Sequence, residues 1–153
     1  MSDFQPQIVA FCCTHCAYNA ADLAGSLRLQ YPSAIKIIQV LCSGRIDILH
    51  ILRAFEDGAD GVMVAGCHPG DCHYIGGNYR TRRRMAMLRS LLKQFGLNEQ
   101  RLELAWISAG EAEKFATTMN GFIESITELG PSPYRTSPAD TQPAAAAKEA
   151  ADV

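Results

Sequence analysis

The chain has 153 residues, 48% of them hydrophobic, with 14 basic against 16 acidic side chains. That is enough chain for one domain with its own core, and a net charge of −2 gives no field that would draw it to nucleic acid or an anionic membrane. No apolar run reaches the roughly 18 residues of a membrane span. Met1-Ser2-Asp3-Phe4-Gln5 lacks the basic start and apolar stretch of a secretory leader, so the expectation is a cytoplasmic protein with neither membrane nor nucleic acid as partner.

Residues 8–11 (IVAF) form a short apolar run after Gln5-Pro6-Gln7 and predict a buried strand. A helix is predicted from Asn19, which can cap it, with Leu23 and Leu27 carrying the pattern to Tyr31 before Pro32. Residues 35–41 (IKIIQVL) are β-branched and apolar, a second strand. Asp47 can cap a second helix that carries Ile48, Leu49, Leu52 and Phe55 on one face and stops at Gly58. Residues 61–65 (GVMVA) read as a third buried strand, and residues 78–95 as a helix with Met85, Leu88, Leu91, Leu92 and Phe95 at helical spacing. Residues 102–107 (LELAWI) predict a fourth strand, with Trp106 in the core. Ser108-Ala109-Gly110-Glu111 has the form of a capping box opening a last helix to about Leu129.

Strands alternating with helices imply an α/β fold: a doubly wound, four-stranded parallel sheet covered on both faces, three layers of the flavodoxin or Rossmann kind. After Gly130 the composition shifts to Pro131, Pro133, Pro138, Pro143 and an alanine run. Residues 1–130 are therefore expected to be the folded domain, and 131–153 a disordered low-complexity tail.

All six cysteines lie in the first half of the chain: Cys12, Cys13, Cys16, Cys42, Cys67 and Cys72. In a cytoplasmic domain large enough to have its own core they point to metal or redox chemistry rather than to disulfides. Cys12-Cys13 follows the first predicted strand, Cys42 the second and Cys67 the third, with Cys72 in the next loop. Parallel strands all end on one edge, so distant thiols should meet there.

Cys13-Thr14-His15-Cys16 has C-x-x-C spacing, and Cys67-His68-Pro69-Gly70-Asp71-Cys72 has the C-x4-C spacing that recurs in plant-type [2Fe–2S] loops. Four thiolates can bind a [2Fe–2S] cluster. A zinc site could use four thiolates or recruit His15, His68 or His73. C-x-x-C between a strand and a helix is also the pattern of a thiol–disulfide oxidoreductase working through Cys13 and Cys16. That reading leaves Cys42, Cys67 and Cys72 without a role.

The segments FCCTHCAYNAADLAG (11–25), CSGRIDILHILRAFEDGADGV (42–62), GCHPGDCHYIGGNYRTRRR (66–84) and WISAGEAEKFA (106–116) together resemble the delta subunit of the methyl-viologen-reducing hydrogenase. The resemblance covers about residues 7–130 and not the tail. It implies a protein that carries a [2Fe–2S] cluster and has no catalytic site of its own. Such a protein passes electrons from a hydrogenase, or in some organisms a formate dehydrogenase, to the A-type flavoprotein of heterodisulfide reductase, in an electron-bifurcating complex. The family commonly has an apolar residue where this chain has Cys12. This leaves Cys13, Cys16, Cys42, Cys67 and Cys72 as metal ligands, five candidates for four positions.

Several other residues have alternative readings. His68 and His73 either hydrogen-bond cluster sulfur or fix the loop. Arg80, Arg82, Arg83 and Arg84 either meet acidic groups of a partner, form a solvated face, or pair with Asp57, Asp60 or Asp71. Tyr18, Tyr74 and Tyr79 either shield a cluster or pack locally. Asp22 and Asp60 read as helix and turn formers. The glycines make neither a G-x-G-x-x-G nor a P-loop, so no nucleotide is assigned.

Overall fold

The computed structural model describes residues 4–135. Strands β1 (Ile8–Cys13), β2 (Ile35–Val40), β3 (Gly61–Gly66) and β4 (Leu102–Trp106) alternate with helices α1 (Ala17–Ser26), α2 (Ile48–Glu56), α3 (Gly77–Gln94) and α4 (Ala112–Leu129). Short 3-10 turns, Ser43–Arg45 and Glu99–Arg101, precede α2 and β4. The sheet order is β2-β1-β3-β4, and every pairing is parallel. Ile8 stands opposite Ile35 on one side and Gly61 on the other, and Val62 opposite Leu102. This is the expected α/β three-layer fold.

The chain steps from β1 to β2 in one direction, then returns past β1 to β3 and β4. With right-handed crossovers that reversal puts the first helix on one face and the next two on the other. One core accordingly packs α1 and α4 on Ile8, Ala10, Cys12, Met63 and Ala65. The other packs α2 and α3 on Phe11, Val62, Val64 and Leu102. β3 is buried along its whole length, as a central parallel strand should be. The direction changes between β1 and β3, and the crevice beyond the carboxyl ends of these two strands is the place where such folds take a ligand.

Several elements differ from the sequence pattern. α1 begins at Ala17, not Asn19, and buries an alanine stripe, Ala17, Ala20, Ala21 and Ala24, towards α4. Leu23 and Leu27 lie on its outer side, with Leu27 57% exposed. Alanines win because α1 lies directly on α4, where larger side chains would hold the helices apart. In α2, Asp47 caps as expected: its Oδ1 accepts from the Leu49 amide at 3.1 Å, and His50 Nδ1 accepts from the Asp47 amide at 3.0 Å. The buried face is formed by Ile51 and Phe55, while Leu49 projects outward. Trp106 is half-buried on the edge strand rather than in the core. Residues 108–111 form a turn rather than the first turn of α4, with the Glu111 carboxylate accepting from the Ser108 amide at 2.8 Å.

Asp60 is a buried hub at the amino edge of the sheet, not a simple turn former. Its carboxylate accepts from the Gln7 amide (2.8 Å), the Ser132 amide (2.8 Å) and the Arg135 guanidinium (2.9 Å). Arg101, also buried, donates to the Asp60 carbonyl at 2.9 Å and to the Gly130 and Pro131 carbonyls just beyond α4. Residues 131–135, which composition assigns to the tail, are thereby held on the body. The rest of the predicted tail lies outside the described residues. Asp60→Ala would orphan the Gln7 and Ser132 amides and remove the Arg135 ion pair, and should cost about 2–4 kcal/mol of stability by urea unfolding. A loss below about 1 kcal/mol would show that the hub does not hold this end together.

Candidate metal centre

Five thiols meet at the carboxyl edge, beside the crevice. Cys13 is the last residue of β1 and Cys16 the residue that caps α1. Cys42 opens the 3-10 turn after β2, Cys67 follows β3, and Cys72 lies in the loop before α3. The Sγ atoms of Cys13 and Cys67 are 3.8 Å apart, and those of Cys42 and Cys72 are 3.7 Å apart. Cys13, Cys16 and Cys67 offer three sulfurs within 4.8 Å of one another, a group that could hold a metal ion. All six cysteines are free thiols. Cys12 points into the core between the sheet and α1, completely buried, where burial pushes its thiol up to about 12.

Short backbone contacts fix the positions of these sulfurs. The Thr14 amide and hydroxyl both donate to the Val40 carbonyl, at 2.8 and 2.9 Å, and tie the first cysteine loop to β2. The buried Asn78 side chain donates to the carbonyls of Cys67 (3.1 Å) and His68 (2.8 Å). Thr81 donates to the Ser43 hydroxyl at 3.0 Å. Arg84 donates to the carbonyls of Gly44 (2.8 Å) and Ile46 (2.9 Å). Of the four arginines that open α3, Arg84 therefore serves the Cys42 loop and no acidic group.

The local electrostatics favour thiolate at two positions. A hydrogen bond from the Cys16 thiol takes the Cys13 thiol down to about 5, against the effect of burial. Cys16, the donor in that bond, is driven up. At Cys72 burial works against ionisation, but the amides of Tyr74, Asn78 and Gly77 and the Cys42 thiol outweigh it and lower the thiol. Burial raises Cys42 to about 11, opposed by the Gly44 amide, 3.4 Å from its sulfur. Burial also raises Cys67. A metal would displace these protons, because only thiolates ligate.

The donor set fits a soft-metal group. Two thiolates at tetrahedral angles on one ion, with metal–sulfur bonds of about 2.3 Å, stand about 3.8 Å apart. Both close thiol pairs have that span. Gly77, the first residue of α3, gives the second pair its room: a Cβ there would lie against Cys42 Sγ and 3.1 Å from Cys72 Sγ. A buried all-sulfur set selects zinc or iron–sulfur chemistry over harder ions.

The His68 and His73 side chains brace loops, while the His73 backbone amide donates to the Cys67 sulfur. His68 Nε2 lies 2.7 Å from Glu111 and links the C-x4-C loop to the turn before α4. The His73 ring stacks on His15 at 4.1 Å, with Tyr74 packed against both rings. Tyr18, Tyr74 and Tyr79 are all substantially exposed. Gly77, Asn78, Thr81 and Arg84 are supporting residues that the cysteine spacing alone does not reveal. The doubled glycine ahead of α3 is their one visible signal.

Gly77→Ala should weaken metal retention about tenfold, measured as metal per chain after challenge with a chelator, since overpacking costs about 1–3 kcal/mol. Gly76→Ala meets nothing within 4 Å and should behave as wild type. Equal metal content in both variants would show that Gly77 does not make room for the thiol pair.

Residues 8–130 match the family described as methyl-viologen-reducing hydrogenase, delta subunit. Among similar proteins, the iron-sulfur D subunit of the vhc F420-non-reducing hydrogenase from Methanococcus voltae is 51% identical over 129 residues, covering 84% of this chain and 90% of that one. The iron-sulfur D subunit of the F420-non-reducing hydrogenase from Archaeoglobus profundus is 48% identical over 129 residues, covering 84% and 94%. The chain also matches part of the A subunit of the Ferredoxin/F(420)H(2)-dependent CoB-CoM heterodisulfide reductase from Methanosarcina acetivorans, at 46% identity over 126 residues, 82% of this chain but 16% of that protein. On fold, thiol constellation and these matches, the chain belongs to the methyl-viologen-reducing hydrogenase delta subunit family.

Proposed function

We propose that this chain is a one-electron carrier whose thiolates Cys13, Cys42, Cys67 and Cys72 hold a [2Fe–2S] cluster. The observation that carries the reading is the pairing of those sulfurs, Cys13 with Cys67 at 3.8 Å and Cys42 with Cys72 at 3.7 Å. A two-iron cluster takes two thiolates on each iron, and each pair has the spacing for one. Cys16, the fifth candidate, then stays a buried thiol that donates to the Cys13 sulfur.

When bound, such a cluster supplies a one-electron redox couple. The chain's own part is electrostatic. The Gly44 amide points at Cys42, and the amides of Tyr74, Gly77 and Asn78 stabilise negative charge on Cys72. Amides aimed at sulfur favour the reduced, more negative state and so raise the potential. Burial keeps water from the ligands, with Cys13 at 1% and Cys72 at 9% exposure. Burial also argues against a dithiol oxidoreductase, since Cys13 and Cys16 offer a disulfide substrate almost no sulfur surface.

The partners in this reading are a hydrogenase on one side and the A-type flavoprotein of heterodisulfide reductase on the other, in a cytoplasmic electron-bifurcating complex. Relatives named as hydrogenase subunits support the first. The presence of a similar segment, 46% identical, inside an A subunit of heterodisulfide reductase supports the second. A shared chain holds the two functions at high effective concentration, which serves proteins that exchange electrons. A formate dehydrogenase as donor rests on the sequence resemblance alone. No helix among the described residues is long and apolar enough to cross a membrane.

Anaerobic purification should give about two irons and two acid-labile sulfides per chain, with a brown colour. Single Cys→Ser changes at positions 13, 42, 67 and 72 should each abolish or sharply shorten cluster lifetime, while Cys12→Ser and Cys16→Ser keep the iron. About one zinc per chain and no sulfide would replace this reading with a zinc-stabilised module. Loss of iron in Cys16→Ser but not in Cys13→Ser would change the ligand assignment.

A further inference from the structure

We infer that the groove beside the Cys42–Cys72 thiol pair, with the adjoining residue Ile75, is the docking surface for an electron-exchange partner whose matching face is an apolar pocket rimmed by carboxylates. The inference rests on the electron-carrier reading above and adds the face used and the chemistry of what it meets. The groove has a volume of about 430 Å3, with Cys42 and Gly77 among its lining and Leu41, Tyr74, Arg45 and Arg80 around them. It reaches a cysteine ligand directly. Electron transfer falls off steeply with distance, so a partner seated here has the shortest path to that pair.

The apolar part of the surface is concentrated on the two loops that carry Cys42 and Cys72, where Leu41 is 62% and Ile75 88% exposed. Ile75 also sits at φ 69°, a left-handed conformation that a β-branched side chain rarely adopts. Strain of this kind persists where surrounding structure enforces it, and it concentrates at ligand clamps and binding loops. Here the loop is braced by the Ile75 amide donating to the Cys72 carbonyl at 2.9 Å and by the stacked rings of His15 and His73 with Tyr74 against them. A large apolar side chain is thus held rigidly out into solvent. A preorganised anchor of this sort loses little freedom on binding.

Charge identifies the occupant. Arg45 and Arg80 are exposed and form no ion pair among the described residues, and no carboxylate lines the groove. Arg84, one turn further along α3, is by contrast occupied with the carbonyls of Gly44 and Ile46. Two unpaired guanidiniums on a chain of net charge −2 favour a partner that presents carboxylates around an apolar centre. The exchange moves one electron and no proton or bond, the partner's own redox group supplying or accepting it.

The test uses the full chain co-expressed anaerobically with the hydrogenase and A-type reductase proteins of its source. Ile75→Asp, Ile75→Gly and the double variant Arg45→Glu/Arg80→Glu are compared with wild type and with Leu27→Asp, an exposed position at the opposite edge. Iron content and reduction by dithionite should match wild type in all of them. Reduction driven by the partner should fall about tenfold or more in both Ile75 variants. In the arginine variant it should fall and lose its dependence on ionic strength. Ile75→Gly relieves the left-handed strain, so its thermal midpoint should hold or rise while exchange is lost, which separates docking from folding. Partner-driven rates within about twofold of wild type in all three variants would overturn the inference. So would an isolated chain that dimerises through this face and is made monomeric by Ile75→Asp. A wild-type chain without iron would overturn the electron-carrier reading itself.

Discussion

The structure depends on one constraint: four parallel strands must end on the same edge. Cys13, Cys42 and Cys67 each lie at or just beyond the carboxyl end of a different strand. Cys72 and Cys16 come from the loops that follow. Parallel pairing of β1 with both β2 and β3 therefore does what a short contiguous motif cannot. It brings sulfurs separated by 54 and 30 positions in sequence to within 3.8 and 3.7 Å. The reversal of direction between β1 and β3 opens the crevice beside them.

Gathering buried thiols is unfavourable unless their charge is met, and the fold meets it with backbone rather than with cationic side chains. The amides of Gly44, Tyr74, Gly77 and Asn78 are directed at Cys42 and Cys72. Asn78, Thr81 and Arg84, all near the start of α3, hold the loops that carry those cysteines. α3 is thus the support of the centre, and its first residue has to be glycine because a Cβ would enter the space between the two sulfurs. The opposite edge is secured separately by Asp60 and Arg101. The centre and the C-terminal anchor sit at the two ends of one sheet.

The strands, the order of elements and the edge on which the cysteines gather are legible in the sequence because each is a local signal: β-branched runs, the Asp47 cap, Gly58, and cysteines just after the strands. What escapes is set by partners distant in sequence. Asp60 resembles any turn residue until Gln7, Ser132 and Arg135 converge on it. The packed face of α1 is formed by its alanines because α4 lies on it, so the leucines that suggest the face point outward. His68 finds Glu111, 43 positions away, and no spacing rule relates them. Five thiols are candidates from sequence, but their grouping, Cys13 and Cys16 with Cys67 and Cys42 with Cys72, is a matter of distance and needs the three-dimensional structure.

An electron carrier of the kind proposed has to be stable, able to change charge by one, and accessible at one face. Buried sulfurs, backbone amides and the loop around Ile75 answer to these needs in turn. The most direct measurement is electron paramagnetic resonance of the anaerobically purified chain before and after reduction by dithionite. One-electron reduction of a paired two-iron cluster leaves a single unpaired electron, so the oxidised protein should be silent and the reduced one should carry about one spin per chain. A chain that stays silent on reduction while holding stoichiometric zinc would contradict it.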